Sequence, residues 1–268
     1  MLLQSHQIIM MIRQLFITAS IAIISRTYAF TSSNTSPTKF GTSTHHHTKL
    51  KYAVINVEEE AQRDVASFEE WASYNGIQRA DGFNLVGEEL DGFLDVSAYT
   101  TQDIPAGDPA LYIPNQMILS STKAMEEFGR LTEAEELLRE NGYESEIRQY
   151  YLMLKILAEL DKGEDSPWFL YLNSLPRYFS NGASMTLFCY TCIPPLVASL
   201  CKEERARFNN LSSGKRLVPF LSNEIKGDAE LWKWAYQVVY TRGIEANDGS
   251  FVIVPMGDYF NHGTENEM

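Results

Sequence analysis

Apolar residues recur with helical spacing in several stretches of this chain. Leu231, Trp234, Ala235, Val238 and Val239 mark one face of a helix that starts at an Asp228 cap and ends at Arg242-Gly243. Ile147, Tyr150, Tyr151, Leu154, Leu157 and Ala158 mark a second helix, closed by Asp161 and Gly163. Phe68, Trp71 and Ala72 share a face of a third, with Ser67-x-x-Glu70 as its capping box and Asn75-Gly76 as its stop. Thr132-x-x-Glu135 caps a short helix that ends at Asn141-Gly142. The spacing predicts a mainly helical region from Lys123 to Asp228. Strand patterns are shorter. Phe251 to Val254 is a continuous apolar run that reads as a buried strand, and Pro255, lacking an N–H, ends its ladder. Pro105-Ala106-Gly107-Asp108 reads as a hairpin turn and Asn247-Asp248-Gly249 as a second turn.

Charge divides the chain. Its 268 residues allow one or two domains, and the net charge is −13. No acid occurs before Glu58, while five of the 22 basic residues do, leaving 17 basic against 35 acidic residues in the remainder. An acidic fold of this kind argues against a nucleic-acid surface and suits a basic protein or peptide partner. The N-terminus reads as lying outside the fold. Arg13 precedes an apolar run, Leu15 to Ile24, too short to span a bilayer as a helix, and Thr27-Tyr28-Ala29 offers small residues around a cleavage point. Residues 1–29 therefore resemble a secretory signal peptide. Residues 30–57 open on Phe30 and continue as an acid-free Ser/Thr-rich stretch that resembles a transit peptide. The two in series resemble a bipartite plastid presequence, with the secretory pathway or the cytoplasm as alternatives. His45-His46-His47 falls in this leader and carries no metal site in this reading. Cys189-x-x-Cys192 has redox or zinc spacing, but a lone pair lacks four ligands and lies in the apolar run from Met185 to Leu200. It reads as core packing.

The candidate chemistry follows Pro255: Asp258, Tyr259, Phe260, Asn261 and His262. Asp, Asn and His side chains can bind an amine, an amide edge or a heterocycle. A helix ending in Thr241-Arg242, a turn, a valine strand, Pro255, Asp258 and Asn261-His262 together resemble SET-domain methyltransferases of the Rubisco large-subunit type. Two further patterns join them: Phe68-x-x-Trp71-Ala72-x-x-Asn75-Gly76-Ile77, and Trp168-x-x-Tyr171-Leu172-x-x-Leu175-Pro176. The resemblance implies an α+β fold of short, mainly antiparallel sheets, with a SET-like domain over 58–268 split by a helical insertion at about 123–230. Asp103, Ile104 and Gly107, then Ala110 to Pro114, match the family's second and third strands.

The same resemblance implies S-adenosylmethionine as cofactor and no metal. Arg242 would meet the cofactor carboxylate, Asn261 and His262 would hold the cofactor, and Asp258 would lie near the incoming lysine. Where the family carries Gly-Leu-Gly-Leu, this chain has Asp95, Val96, Ser97 and Ala98, so Asp95 and Ser97 stand on the other cofactor wall. The family's catalytic tyrosine and closing SET strands would fall beyond residue 268, so no catalytic residue is assigned. The expected activity is methyl transfer to a lysine of a protein, weak or absent in the chain as given. A histidine acceptor and a non-catalytic SET-like binding module are the alternatives. The implied partner is a protein substrate, in the plastid reading a plastid protein. Nucleic acid is not expected, nor a membrane for the mature form, and the protein is expected to be a monomer.

Overall fold

The computed structural model describes residues 55–90 and 93–261. Residues 1–54 of the presequence-like segments and His262 lie outside the described residues. The last residues read as leader belong to the fold instead, with Ile55 buried in the core and Val57 packed against it, because both are apolar and adjoin the first helix. Residues 52–184 and 201–268 form one unit, and residues 185–200 belong to a second.

In the main unit, α1 (Val65–Tyr74) buries Phe68, Trp71 and Ala72, the face its spacing predicts. The cap differs. Asp64, not Ser67, is the N-cap, and its carboxylate accepts from the Ser67 N–H at 3.0 Å. Both residue types cap helices, and the earlier one starts the helix a turn sooner. Next come β1 (Gln78–Arg79), β2 (Phe83–Leu90) and β3 (Phe93–Thr100). β2 and β3 pair antiparallel from Phe83↔Thr100 to Leu90↔Phe93. β4 (Leu111–Tyr112) pairs with β1. Pro105 to Asp108 does turn, with the Asp108 N–H on the Pro105 carbonyl at 3.0 Å. It joins no hairpin, however, because its two flanking segments pair elsewhere: 93–100 with β2 and 111–112 with β1.

After β5 (Leu119–Ser120) the main unit is helical: α2 (Ser121–Phe128), α3 (Thr132–Glu140), α4 (Ile147–Lys162) and α5 (Phe169–Ser174). α4 is the central element. Every residue from Tyr150 to Leu160 is buried, as expected of a helix surrounded by others rather than lying on a surface. It packs against α2 and against the long helix that precedes the last strands. Each large apolar side chain so buried contributes about 1.5–3 kcal/mol. At α3, Thr132 provides no cap. Glu135 instead accepts from Arg130, Arg139 and the Tyr151 hydroxyl, which removes it from the capping box.

Two helices, α6 (Leu187–Cys192) and α7 (Pro195–Ser213), follow; α6 and the first residues of α7 lie in the second unit. Here the core reading of the cysteines fails: Cys192 is exposed and Cys189 only half-buried. Pro194 and Pro195 cut the apolar run into a helix of six residues, too short to bury a continuous stripe. The chain then forms α8 (Asn223–Gly227) and α9 (Ala229–Arg242). Asp228 caps α9, accepting from the Glu230 and Leu231 N–H groups. β6 (Ile244–Glu245) and β7 (Phe251–Ile253) complete a three-stranded sheet in the order β5-β7-β6, both pairings antiparallel. Among the described residues, no helix is long and apolar enough to cross a membrane.

Candidate functional site

The end of α9 places Arg242, and a close approach determines how the chain leaves it. A Cβ added at Gly243 would lie 2.5 Å from the Val239 carbonyl oxygen and 2.2 Å from Phe251 Cε1, so only glycine fits there. The β6–β7 hairpin then turns the chain back. Asp248 accepts from the Ser250 N–H and Oγ in its turn, and Gly249 adopts φ 78°. Beyond Pro255, Met256 is fully buried with φ 71°, a left-handed conformation that is costly for a non-glycine residue. It redirects the chain into a single 3-10 turn, Gly257–Tyr259.

This return brings Asp258 onto Arg242. Arg242 Nη1 donates to Asp258 Oδ2 at 2.8 Å and to the Asp258 carbonyl at 3.0 Å. The Tyr171 hydroxyl of α5 donates to the same Oδ2 at 2.8 Å. The guanidinium lies over the Tyr259 ring, 4.8 Å from its centroid. Burial opposes the charge on Arg242, but the Asp258 carboxylate, with Tyr259 and Tyr171, outweighs it and raises its pKa. The Asp258 side chain is 1% exposed, and its Oδ1 is buried without a hydrogen-bond partner. The Tyr259 hydroxyl lies 2.8 Å from Ser174 Oγ and 3.1 Å from the Ser174 carbonyl.

Two more arginines lie beside Tyr259. Arg63, just before α1, donates from Nε to the Ser174 carbonyl at 2.7 Å and from Nη1 to the Leu94 carbonyl of β3 at 2.8 Å. It thereby ties β3 to α5. Its Nη2 is buried with no partner. Arg177 donates to the Leu175 and Asn173 carbonyls and to Asn173 Oδ1. Burial, followed by the charge of Arg63, pulls Arg177 down to about 10. Burial likewise lowers Arg63, and Arg242 adds to that effect while Tyr259 and Asp95 oppose it. Three guanidinium groups thus share this region with one buried ion pair, Arg242–Asp258, in a chain whose net charge is −13. Burial lowers the pKa of Arg63 and Arg177, which donate to carbonyl oxygens rather than to a carboxylate, whereas Asp258 raises that of Arg242.

The other residues singled out by sequence fall around this cluster. β3 packs against the 257–259 turn. On β3, Asp95 is exposed opposite Glu88, and Ser97 is half-buried opposite Val86. Val96 between them is buried. Phe260 packs against Phe83 with ring centroids 5.6 Å apart, and Asn261 after it is exposed. Asp258 and Arg242 are brought together, with Asp258 turned inward onto the arginine. Arg63 was missed by sequence reading. Its one signal was a basic residue amid Glu58, Glu59, Glu60, Asp64, Glu69 and Glu70. Tyr171 was legible only as packing. Separately, a cleft of about 280 Å³ opens beside the first half of α9, lined by Glu58, Glu230, Lys233 and Gln237 among others. It reaches Arg177 but none of Arg242, Asp258, Asp95, Ser97 or Asn261.

Small antiparallel sheets, a helical region inserted between β5 and β6, and a sharply turned segment after the last strand define a SET-type α+β fold. The chain matches the SET domain of LSMT bound to lysine and AdoHcy with a TM-score of 0.57 at 16% identity, covering 75% of this chain and 45% of that one. It matches Rubisco LSMT bound to AdoMet with a TM-score of 0.56 at 16% identity, over 76% and 46% of the two chains. A third match is Rubisco LSMT bound to sinefungin and monomethyllysine, with a TM-score of 0.57 at 17% identity, over 75% and 45%. The chain thus spans less than half the length of these relatives. No protein-family model matches the sequence, and no curated protein does.

Proposed function

We propose that this chain carries the cofactor-binding part of an S-adenosylmethionine-dependent methyltransferase that modifies a lysine side chain of a protein. The observation that carries the reading is the arginine excess at the junction of β3, α5 and the 257–261 segment, within a SET-type fold. The amino-acid end of S-adenosylmethionine bears a carboxylate and an ammonium. The unpartnered Arg63 Nη2 suits the first and the unpartnered Asp258 Oδ1 suits the second. Exposed Asn261 adds an amide edge within reach of solvent-borne ligands. When bound, the cofactor supplies an electrophilic methyl group on a sulfonium. With Oδ2 held by Arg242 and Tyr171 and Oδ1 given to the cofactor ammonium, Asp258 has no oxygen left for a lysine ammonium, which favours a lysine that arrives as the free amine. Buried Tyr171 and Tyr259 hold that carboxylate and its arginine in one geometry.

A second reading, a non-catalytic binding module, is favoured by two features. Arg242 is already satisfied by Asp258, and side chains at Asp95 and Ser97 occupy the strand where glycines would leave room. Incubation with labelled S-adenosylmethionine and a plastid protein extract separates the two. The enzyme reading expects label on lysine, or on histidine if that is the acceptor, identified by peptide mass spectrometry. Cofactor binding without transfer to any protein would favour the module. The proposed place of action is the plastid, on the strength of the signal-like run followed by Phe30 and an acid-free stretch.

A further inference from the structure

The second unit contains a motif that this function does not use. Cys189 and Cys192 both stand on α6, three positions apart. Three residues of α-helix separate two Cα atoms by about 5 Å. That falls inside the range of about 4.4–6.8 Å that a disulfide spans. Both thiols are free, Cys192 is exposed, and Cys189 is only half-buried. Their surroundings are open too: Leu187 is 80% and Phe188 75% exposed. Thr186 is the N-cap of α6, and its Oγ1 lies 3.2 Å from Cys189 Sγ. That hydroxyl can donate to a thiolate, and it lowers the Cys189 pKa. Cys201 behaves oppositely. It is buried, and burial pushes its thiol up to about 11. Among the described residues, no group of three or more metal-ligating side chains includes the pair.

We propose that Cys189 and Cys192 form a reversible intramolecular disulfide by exchange with a glutathione-type disulfide. The Cys189 thiolate attacks one sulfur of that disulfide. A Cys189–sulfur bond forms, the original S–S bond breaks, and one thiol is released. Cys192, its proton lost to solvent, then attacks Cys189 Sγ, closing the Cys189–Cys192 bond and expelling the second thiol. Two cysteine thiols are oxidised and one disulfide is reduced to two thiols, so atoms and electrons balance. Cys189 is the attacking group because Thr186 stabilises its thiolate; Cys192 resolves the mixed disulfide. Cys201 stays outside the exchange.

The test uses the full chain, reduced and with chelator present, equilibrated in glutathione buffers of increasing oxidised fraction. Acid quenching, alkylation and peptide mass spectrometry then locate each thiol. The expected result is a two-electron transition to a peptide lighter by two hydrogens that links Cys189 to Cys192, with Cys201 alkylated only after denaturation. C192S should accumulate glutathione on Cys189. C189S should take glutathione on Cys192 at least about tenfold more slowly. Two free thiols at the most oxidising ratio, or a disulfide that recruits Cys201, would overturn the proposal. Equal glutathionylation rates in the two variants would overturn the assignment of Cys189 as the attacking group.

Discussion

Asp258 and Arg242 show what a single residue contributes here. Both are recognisable from sequence as candidate binding groups, one after a strand and one at a helix end. Their contact is not recognisable, because it depends on a hairpin and a left-handed Met256 that bring the chain back over 16 residues. Once formed, the pair is almost wholly removed from water, with side chains 12% and 1% exposed. Asp258→Asn leaves the guanidinium buried without a carboxylate and should cost about 3–5 kcal/mol in urea unfolding. The double variant R242M/D258N should lose less than D258N alone, since it removes the uncompensated charge along with its partner. An equal or larger loss in the double variant would mean that packing, not charge, governs the site. Arg63 belongs to the same scale. Nothing in a single sequence tells a surface arginine from one that joins two backbone carbonyls, so it came to light only with the β3–α5 junction.

Among elements, helices were legible where apolar spacing was long and regular, as in α4 and α9. Their ends were legible only where one cap residue stood unopposed. Asp228 caps α9 as its position suggested, whereas at α1 the choice between Asp64 and Ser67 went to the residue that sequence reading passed over. At α3 the capping glutamate went instead to Arg130, Arg139 and Tyr151. That arrangement has a pH signature. The Arg130 guanidinium, with Tyr151 and Arg139, holds Glu135 down to about 2 against the cost of burial. A carboxylate depressed in the folded state stabilises above its unfolded pKa. The contribution is full above about 4.5 and is lost as pH falls toward about 2. Because Arg130 is mostly exposed, the effect is discounted to about 1–2 kcal/mol. The urea midpoint of the native chain should fall through this window, and that of E135Q should fall less. Parallel slopes would remove Glu135 from the account. Gly243 is the corresponding constraint between α9 and β6. Gly243→Ala places a methyl against the Val239 carbonyl and should cost about 1–3 kcal/mol, read as a lowered melting temperature.

For the whole molecule, the sequence patterns conveyed the fold better than the sheet wiring. The motifs of α1, α5 and α9, with the valine strand, carried the resemblance to SET-domain methyltransferases, and that resemblance implied short antiparallel sheets interrupted by helices. The β2–β3 hairpin was missed because its sequence, from Phe83 to Thr100, lacks a clean alternation, and several of its apolar side chains are exposed. The paired cysteines were misread because an apolar run was equated with burial. Charge asymmetry points the other way along the chain, to the leader. A reporter fused to residues 1–57 should enter the plastid, and Phe30→Ala should divert it to a secretory compartment. Cytosolic fluorescence from the unaltered leader would contradict that placement.

The central claim is that the arginine-rich junction holds the amino-acid end of S-adenosylmethionine. Titration calorimetry of the purified chain with S-adenosylmethionine tests it most directly, with R63K measured alongside. The account predicts saturable binding at one site, weakened by about tenfold or more in R63K because a point charge cannot reproduce the guanidinium fork. No saturable binding by the native chain, or equal affinity in R63K, would contradict it.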